Sequence, residues 1–228
     1  MTFYPDKQPA QAHLRFYASH FATVEINASY YRLPERKFFE YWRLTAPSGF
    51  LFAVKASRYL THMKKLKDPH EPLARLLNNA DGLGEKLGPV LFQFPRAWGL
   101  DLSRLTDFLE VLRGYPRRRY AFEFRHKSWL VDDVYERLRS SNAALCLPIG
   151  WGIPLDVQLT GDWTYLRFHG GQHDVGFEDD ELHAWADRIT GWRDQGLDSY
   201  SYFNNDSLWH GRPAAIDNAR RLRELIGS

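Results

Sequence analysis

At 228 residues, 44% of them apolar and 25% charged, the chain is long enough to bury the core of one barrel-sized domain and is read as a single domain over 1–228. A formal charge of +2 gives no electrostatic case for a nucleic-acid or anionic-membrane partner, and no apolar stretch approaches membrane-spanning length. The single cysteine, Cys146, excludes an internal disulfide and, with an N-terminus unlike a signal peptide, leads us to expect a cytoplasmic protein.

In chain order, the stretch AQAHLRFYASHF reads as a helix, and Thr23 to Asn27 follows as a strand with Glu25 and Asn27 on one face. A loop, ASYYRLP, leads to a helix bracketed by prolines, PERKFFEYWRLTAP, and then to the strand FLFAVKA, which carries Lys55. His62 lies on the next loop. A helical stretch interrupted by two glycines gives way at Gly88-Pro89 to VLFQFP, apolar except for Gln93. Apolar residues at 102, 105, 108, 109 and 112 make the inward stripe of the following helix. In YAFEFRHKSW, Ala121, Glu123 and Arg125 share one face of a strand, and Phe122 and Phe124 share the other. A helix from Val131 to Arg139, a buried strand AALCLPIG and a long loop precede TYLRFHGG, where Tyr165, Arg167 and His169 share a face. A helix from Glu178 to Arg193, the strand SYSYFNND and a final helix complete the chain.

Strand and helix alternate throughout, which means a parallel sheet covered by helices. Polar residues gather on one face at the C-terminal end of nearly every strand. An open sheet calls for them only near a crevice, whereas a barrel brings every strand end to one mouth. The pattern therefore predicts an α/β fold, a TIM-type (β/α) barrel of about seven strands.

The set VEINASYYRLP, FAVKASRYLTH, LFQFP, FEFRHKSW, LRFHGG and YFNND resembles domain-of-unknown-function family 72, also called YecE-like, over about residues 16–219. The resemblance implies a TIM-barrel-like fold and carries no established reaction. It also implies a first strand with a Gly-Ser-Gly-Trp-like motif ahead of Phe3-Tyr4-Pro5. This chain begins after that motif, so the expectation is either a start placed too late or a seven-stranded barrel lacking its first strand, with edges at TVEIN and SYSYFN to be covered.

The strand ends supply Glu25, Asn27, Lys55, Gln93, Glu123, Arg125, Arg167, His169, Tyr202 and Asn204, three cations against two carboxylates. The surplus predicts a small anionic ligand, with phosphorylated and sugar-like molecules as candidates, bound by Asn27, Lys55, His62, Gln93, Arg125, Trp129, Arg167 and Asn204. Glu25 and Glu123 are candidates for general acid and base, and His169 for proton carrier. The loops after the last two strands, His169-Gly170-Gly171 and Asn204-Asn205-Asp206, are candidates for cradling phosphate. On this reading Arg167→Ala costs anion binding and leaves the fold intact.

The first functional reading is a cofactor-independent enzyme with hydrolase, lyase and isomerase chemistry open. The second is a metal-dependent phosphodiester hydrolase resembling barrel endonucleases, its metal held by Glu25, Glu123 and His169; no His-x-His or His-Glu-x-x-His spacing supports a resident metal. The third is a non-catalytic binding protein. A bland alternative makes the same charges interior plugs that neutralise one another.

Overall fold

The computed structural model describes residues 3–227. Seven strands run parallel and neighbour one another in chain order: β1 (Thr23–Ile26), β2 (Leu51–Lys55), β3 (Leu87–Gln93), β4 (Tyr120–Glu123), β5 (Ala144–Ile149), β6 (Trp163–Phe168) and β7 (Asp198–Phe203). Between and around them lie α1 (Ala10–Ala18), α2 (Ala28–Tyr31), α3 (Arg36–Thr45), α4 (His70–Ala80), α5 (Leu102–Arg113), α6 (Asp132–Ser140), α7 (Asp179–Asp194) and α8 (Ala214–Ile226). Sequential order with one-way helical crossovers curls the sheet on itself, and the result is a barrel that is nearly closed.

Two apolar layers hold helices to the outside of the sheet. Phe52, Val54, Phe92, Phe122 and Leu145 point outward and meet Leu73, Leu77, Leu105, Phe108 and Leu138. The stripe of α5 is buried as its spacing requires, and Asp101 caps that helix by accepting a bond of 3.1 Å from the Arg104 amide. On the far side Leu147, Leu166 and Phe168 pack against Leu182, Ile189 and Trp192. Each such buried side chain contributes about 1.5–3 kcal/mol of transfer free energy.

The lumen is filled unevenly. Small residues from β2, β4 and β5, namely Ala53, Ala121, Ala144 and Cys146, leave the volume that Trp163, Tyr165 and Tyr202 occupy from β6 and β7. No hydrogen-bond ladder joins β1 to β7. Side chains close that seam from within: Thr23 Oγ1 and Tyr202 Oη lie 2.9 Å apart, and Tyr165 Oη donates to Glu25 Oε2 over 2.7 Å. Along the seam runs a groove of about 610 Å³, lined by Val24, Ser199, Ser201 and residues of α8. Among the described residues no strand precedes β1.

Local structure departs from the sequence reading in five places. ASYY, expected as loop, is a turn of α-helix, and the loop carrying His62 contains a π-helical turn, Tyr59–Met63. The glycine-interrupted helix is α4 followed by a 3₁₀ segment, Asp81–Lys86, and a Cβ at Gly82 would meet the Arg36 carbonyl oxygen at 2.8 Å. β3 begins at Leu87, so Gly88 and Pro89 are inside it. A short antiparallel hairpin, Leu208–Trp209 with Arg212–Pro213, had no alternating apolar pattern to announce it.

Candidate functional site

The C-terminal ends of β1, β2, β4 and β6 bring Glu25, Lys55, Glu123 and Arg167 into the lumen, because each sits in register with inward-facing neighbours. Arg167 is the hub. Its Nε and Nη2 donate to Glu25 Oε2 and Oε1 over 3.0 and 2.8 Å, Nη1 donates to Glu123 Oε2 over 2.7 Å, and Nη2 also reaches Asn204 Oδ1 at 3.2 Å. The fork of a guanidinium suits this job, since it can serve two carboxylates in one plane. The side chains of Arg167 and Glu25 are each 3% exposed and that of Glu123 is 0% exposed.

Glu123 is also paired with Arg125 through Nε, and its Oε2 accepts a weak bond from the Cys146 thiol at 3.7 Å. Burial disfavours the Glu123 charge, but Arg167 and Arg125 outweigh it and hold the carboxyl at about 2. For Arg167 burial is likewise outweighed, by Glu123 and Glu25, and the guanidinium is raised far above its ordinary value. Burial pushes the Cys146 thiol well up, so it is an inert core residue.

Arg125 Nη2 lies 2.9 Å from His169 Nε2. Guanidinium can only donate, so this nitrogen of His169 accepts and the imidazole is neutral. Burial, with Arg167 and Arg125 adding to it over the opposing pull of Glu123, lowers His169 to about 3. On the opposite side of the mouth, Lys55 Nζ stands over the Tyr30 ring, 4.4 Å from its centroid, and the His62 ring meets Tyr30 edge-on at 5.2 Å. Burial and the nearby Arg167 bring Lys55 down to about 8 against the pull of Glu25 and Glu123. His62, bonded to Thr61 Oγ1 at 3.0 Å, is lowered by burial and then by Lys55.

Glu25, Glu123, Arg125, Arg167, His169 and Asn204 thus form one connected network, with Lys55 and His62 beside it. Gln93 is in register with Glu123 and turns its amide to the Phe94 carbonyl at 3.1 Å, and Asn27 lines the seam groove. Trp129, expected over the mouth, is 0% exposed: it stacks on Phe124 at 4.5 Å and donates to the Trp98 carbonyl over 2.7 Å. The 3₁₀ turn Lys127–Trp129 swings it outward into the helix layer. The expected phosphate cradle after β6 is also corrected, because the Gly171 amide donates to the Gly176 carbonyl and the Gln172 amide to the Glu181 carboxylate. Those donors are spent on the loop itself and on α7.

Three residues stand outside the expected site set, Tyr165 among them although it shares the face of Arg167 and His169. Tyr165 bonds Glu25 and Tyr30 faces Lys55, but an aromatic on a strand or in an apparent loop reads as core. Trp151 is 85% exposed and borders a cleft of about 590 Å³ with Ile153 and the loop that begins at His169. A lone tryptophan between two glycines was the available signal.

A parallel α/β barrel with a charged, buried network at the C-terminal ends of its strands defines the class of protein. Within that class the chain belongs to the family described as "Protein of unknown function DUF72", whose profile matches residues 1–228. It is similar to the UPF0759 protein YunF of Bacillus subtilis, 27% identical over 258 residues, covering 99% of this chain and 90% of that one. The UPF0759 protein YecE of Escherichia coli is 30% identical over 125 residues, 54% of this chain and 45% of YecE. A crystal structure of a DUF72 family protein from Thermotoga maritima superposes with a TM-score of 0.75 at 26% identity, covering 99% of this chain and 93% of the other. One from Enterococcus faecalis gives 0.78 at 18%, covering 94% and 88%, and supports the fold. Among the described residues no helix is long and apolar enough to cross a membrane.

Proposed function

We propose that the protein is an enzyme that needs no cofactor and acts by acid/base chemistry on a small anionic molecule bound at the mouth of the barrel. The observation that carries this reading is the imbalance of charge. Both lumenal carboxylates are committed to Arg167 and Arg125, and the Lys55 ammonium is left without an ion pair among the described residues. An interior plug would leave no such surplus, because an unpaired buried charge costs stability and returns nothing. Lys55 at the end of β2 and Arg125 just beyond β4 are the cations that a carboxylate or phosphate at the mouth would meet.

In this reading Glu25 and Glu123 fix the guanidinium groups, His169 and His62 offer neutral imidazoles to the ligand, and Lys55, brought down to about 8, holds the proton that exchanges nearest neutral pH. The metal-dependent alternative has less support: among the described residues no three His, Cys, Asp or Glu side chains converge, since Arg167 stands between the two carboxylates. A thermal-shift series with inorganic phosphate, sulfate, sugar phosphates and nucleotides tests the proposal. A small anion should raise the apparent Tm of the parent and leave Lys55→Met unmoved. If no anion moves the parent, the reading fails.

A further inference from the structure

Two lysines are buried in this barrel, and they differ. Lys86, 8% exposed, donates from Nζ to the carbonyl oxygens of Arg43 at 2.6 Å and Ala46 at 2.7 Å, closing the C-terminal end of α3. That is how a structural lysine satisfies its donors. Lys55 is equally buried at 9% exposed, yet among the described residues its ammonium has neither a hydrogen-bond acceptor nor an ion pair. Its one contact of that kind is the face of Tyr30, which gives it no lone pair to bond.

We propose that Lys55 is a covalent nucleophile whose Nζ forms an imine with a small carbonyl compound entering the mouth. The inference rests on the mouth being a ligand site and names the reaction that its lysine performs. Position favours it: Lys55 is the last residue of β2, at the end of the barrel where substrates arrive. Its surroundings favour it too, because desolvation beside other cations keeps a larger share of the amine unprotonated, and Arg167 and Arg125 supply those cations. In the free-amine form, the nitrogen lone pair forms the C–N bond while the carbonyl electrons move to oxygen. The two amine protons then leave with that oxygen as water, and C=N remains. His62, which shares the Tyr30 ring with Lys55, is placed to carry a proton through the carbinolamine stage. An anionic group on the same molecule would rest on Arg125.

The test is reductive trapping followed by peptide mass spectrometry on the whole chain, with acetaldehyde, pyruvate and dihydroxyacetone phosphate as probes and cyanoborohydride as reductant. At pH 8 the peptide containing Lys55 should gain the reduced adduct about tenfold faster than the average lysine. Lys55→Arg should lose that adduct and keep the slow background. Acetaldehyde carries no charge, so preferential labelling by it supports the nucleophile even if the two anions fail, and their failure would count against the anionic site alone. Labelling of Lys55 no faster than that of exposed lysines with all three probes overturns the proposal. Thermal stabilisation by phosphate would in that case still stand.

Discussion

The Glu25 carboxylate on β1 receives two bonds from the Arg167 guanidinium on β6, and this pair spans the seam that the backbone leaves unladdered. Ion pairing inside the lumen therefore does part of the work that strand pairing does around the rest of the barrel.

Removing Arg167 should for that reason cost more than a ligand contact. Arg167→Met leaves Glu25 and Glu123 buried with their main partner gone, and stability should fall by about 3–5 kcal/mol. The sequence reading, that Arg167→Ala leaves the fold intact, is replaced by this expectation. Urea unfolding of Arg167→Met, Glu25→Gln and the double variant measures it, with a coupling of roughly 0.5–3 kcal/mol between the two sites. Additive single effects would show that the seam is not held this way.

Lys55 should behave in the opposite sense. Its folded-state value of about 8 lies below the ordinary 10.5, so the folded protein disfavours the charge. The cost is full below pH 8, shrinks between 8 and 10.5, and vanishes above. Lys55→Met should accordingly stabilise the protein at pH 7, by on the order of 3 kcal/mol, and the advantage should close as pH approaches 10.5. Tm against pH for both proteins decides it; a destabilised variant at pH 7 refutes the expectation.

Acid sensitivity follows from Glu123 and His169 together. Glu123 is held at about 2, so its contribution is present above the ordinary carboxylate range and is lost as pH falls toward 2. His169 is lowered to about 3 and stays neutral in the fold, whereas the unfolded chain takes up that proton below pH 6.5. Stability should decline from about pH 6.5 downward. His169→Gln should flatten the upper part of the decline and leave the lower part, which a urea series at several pH values would resolve.

Two tryptophans should separate cleanly. Trp129→Ala empties a place in the helix layer and should cost about 3–5 kcal/mol. Trp151→Ala, at an exposed site, should change stability by no more than about 0.5 kcal/mol, while altering the fluorescence response to any ligand of the adjoining cleft. Equal losses from the two would contradict their placement.

Much of the architecture was legible because periodicity is local. The α5 stripe and the two faces of YAFEFR are written in residues a few positions apart, and alternation of strand with helix follows from reading them in order. The polar set at the strand ends was legible for the same reason, since Glu25, Lys55, Glu123 and Arg167 each occupy the inward phase of a strand. Trp129 was misplaced because a single 3₁₀ turn after Arg125 reverses which side of the strand end it serves. The Gly170-Gly171 loop was misjudged because the partners of its amides, Gly176 and Glu181, lie beyond the motif.

Sequence by itself determined the strands, their inward phase, and the excess of one cation over the carboxylates at the mouth. Tertiary structure decided which charges neutralise which. Arg167 and Lys55 are alike as letters at the ends of strands, but register places the guanidinium between two carboxylates and sets the ammonium against an aromatic face. Coulomb energy depends on distances of a few ångströms between residues 44 and 142 positions apart, and only the curled sheet fixes them.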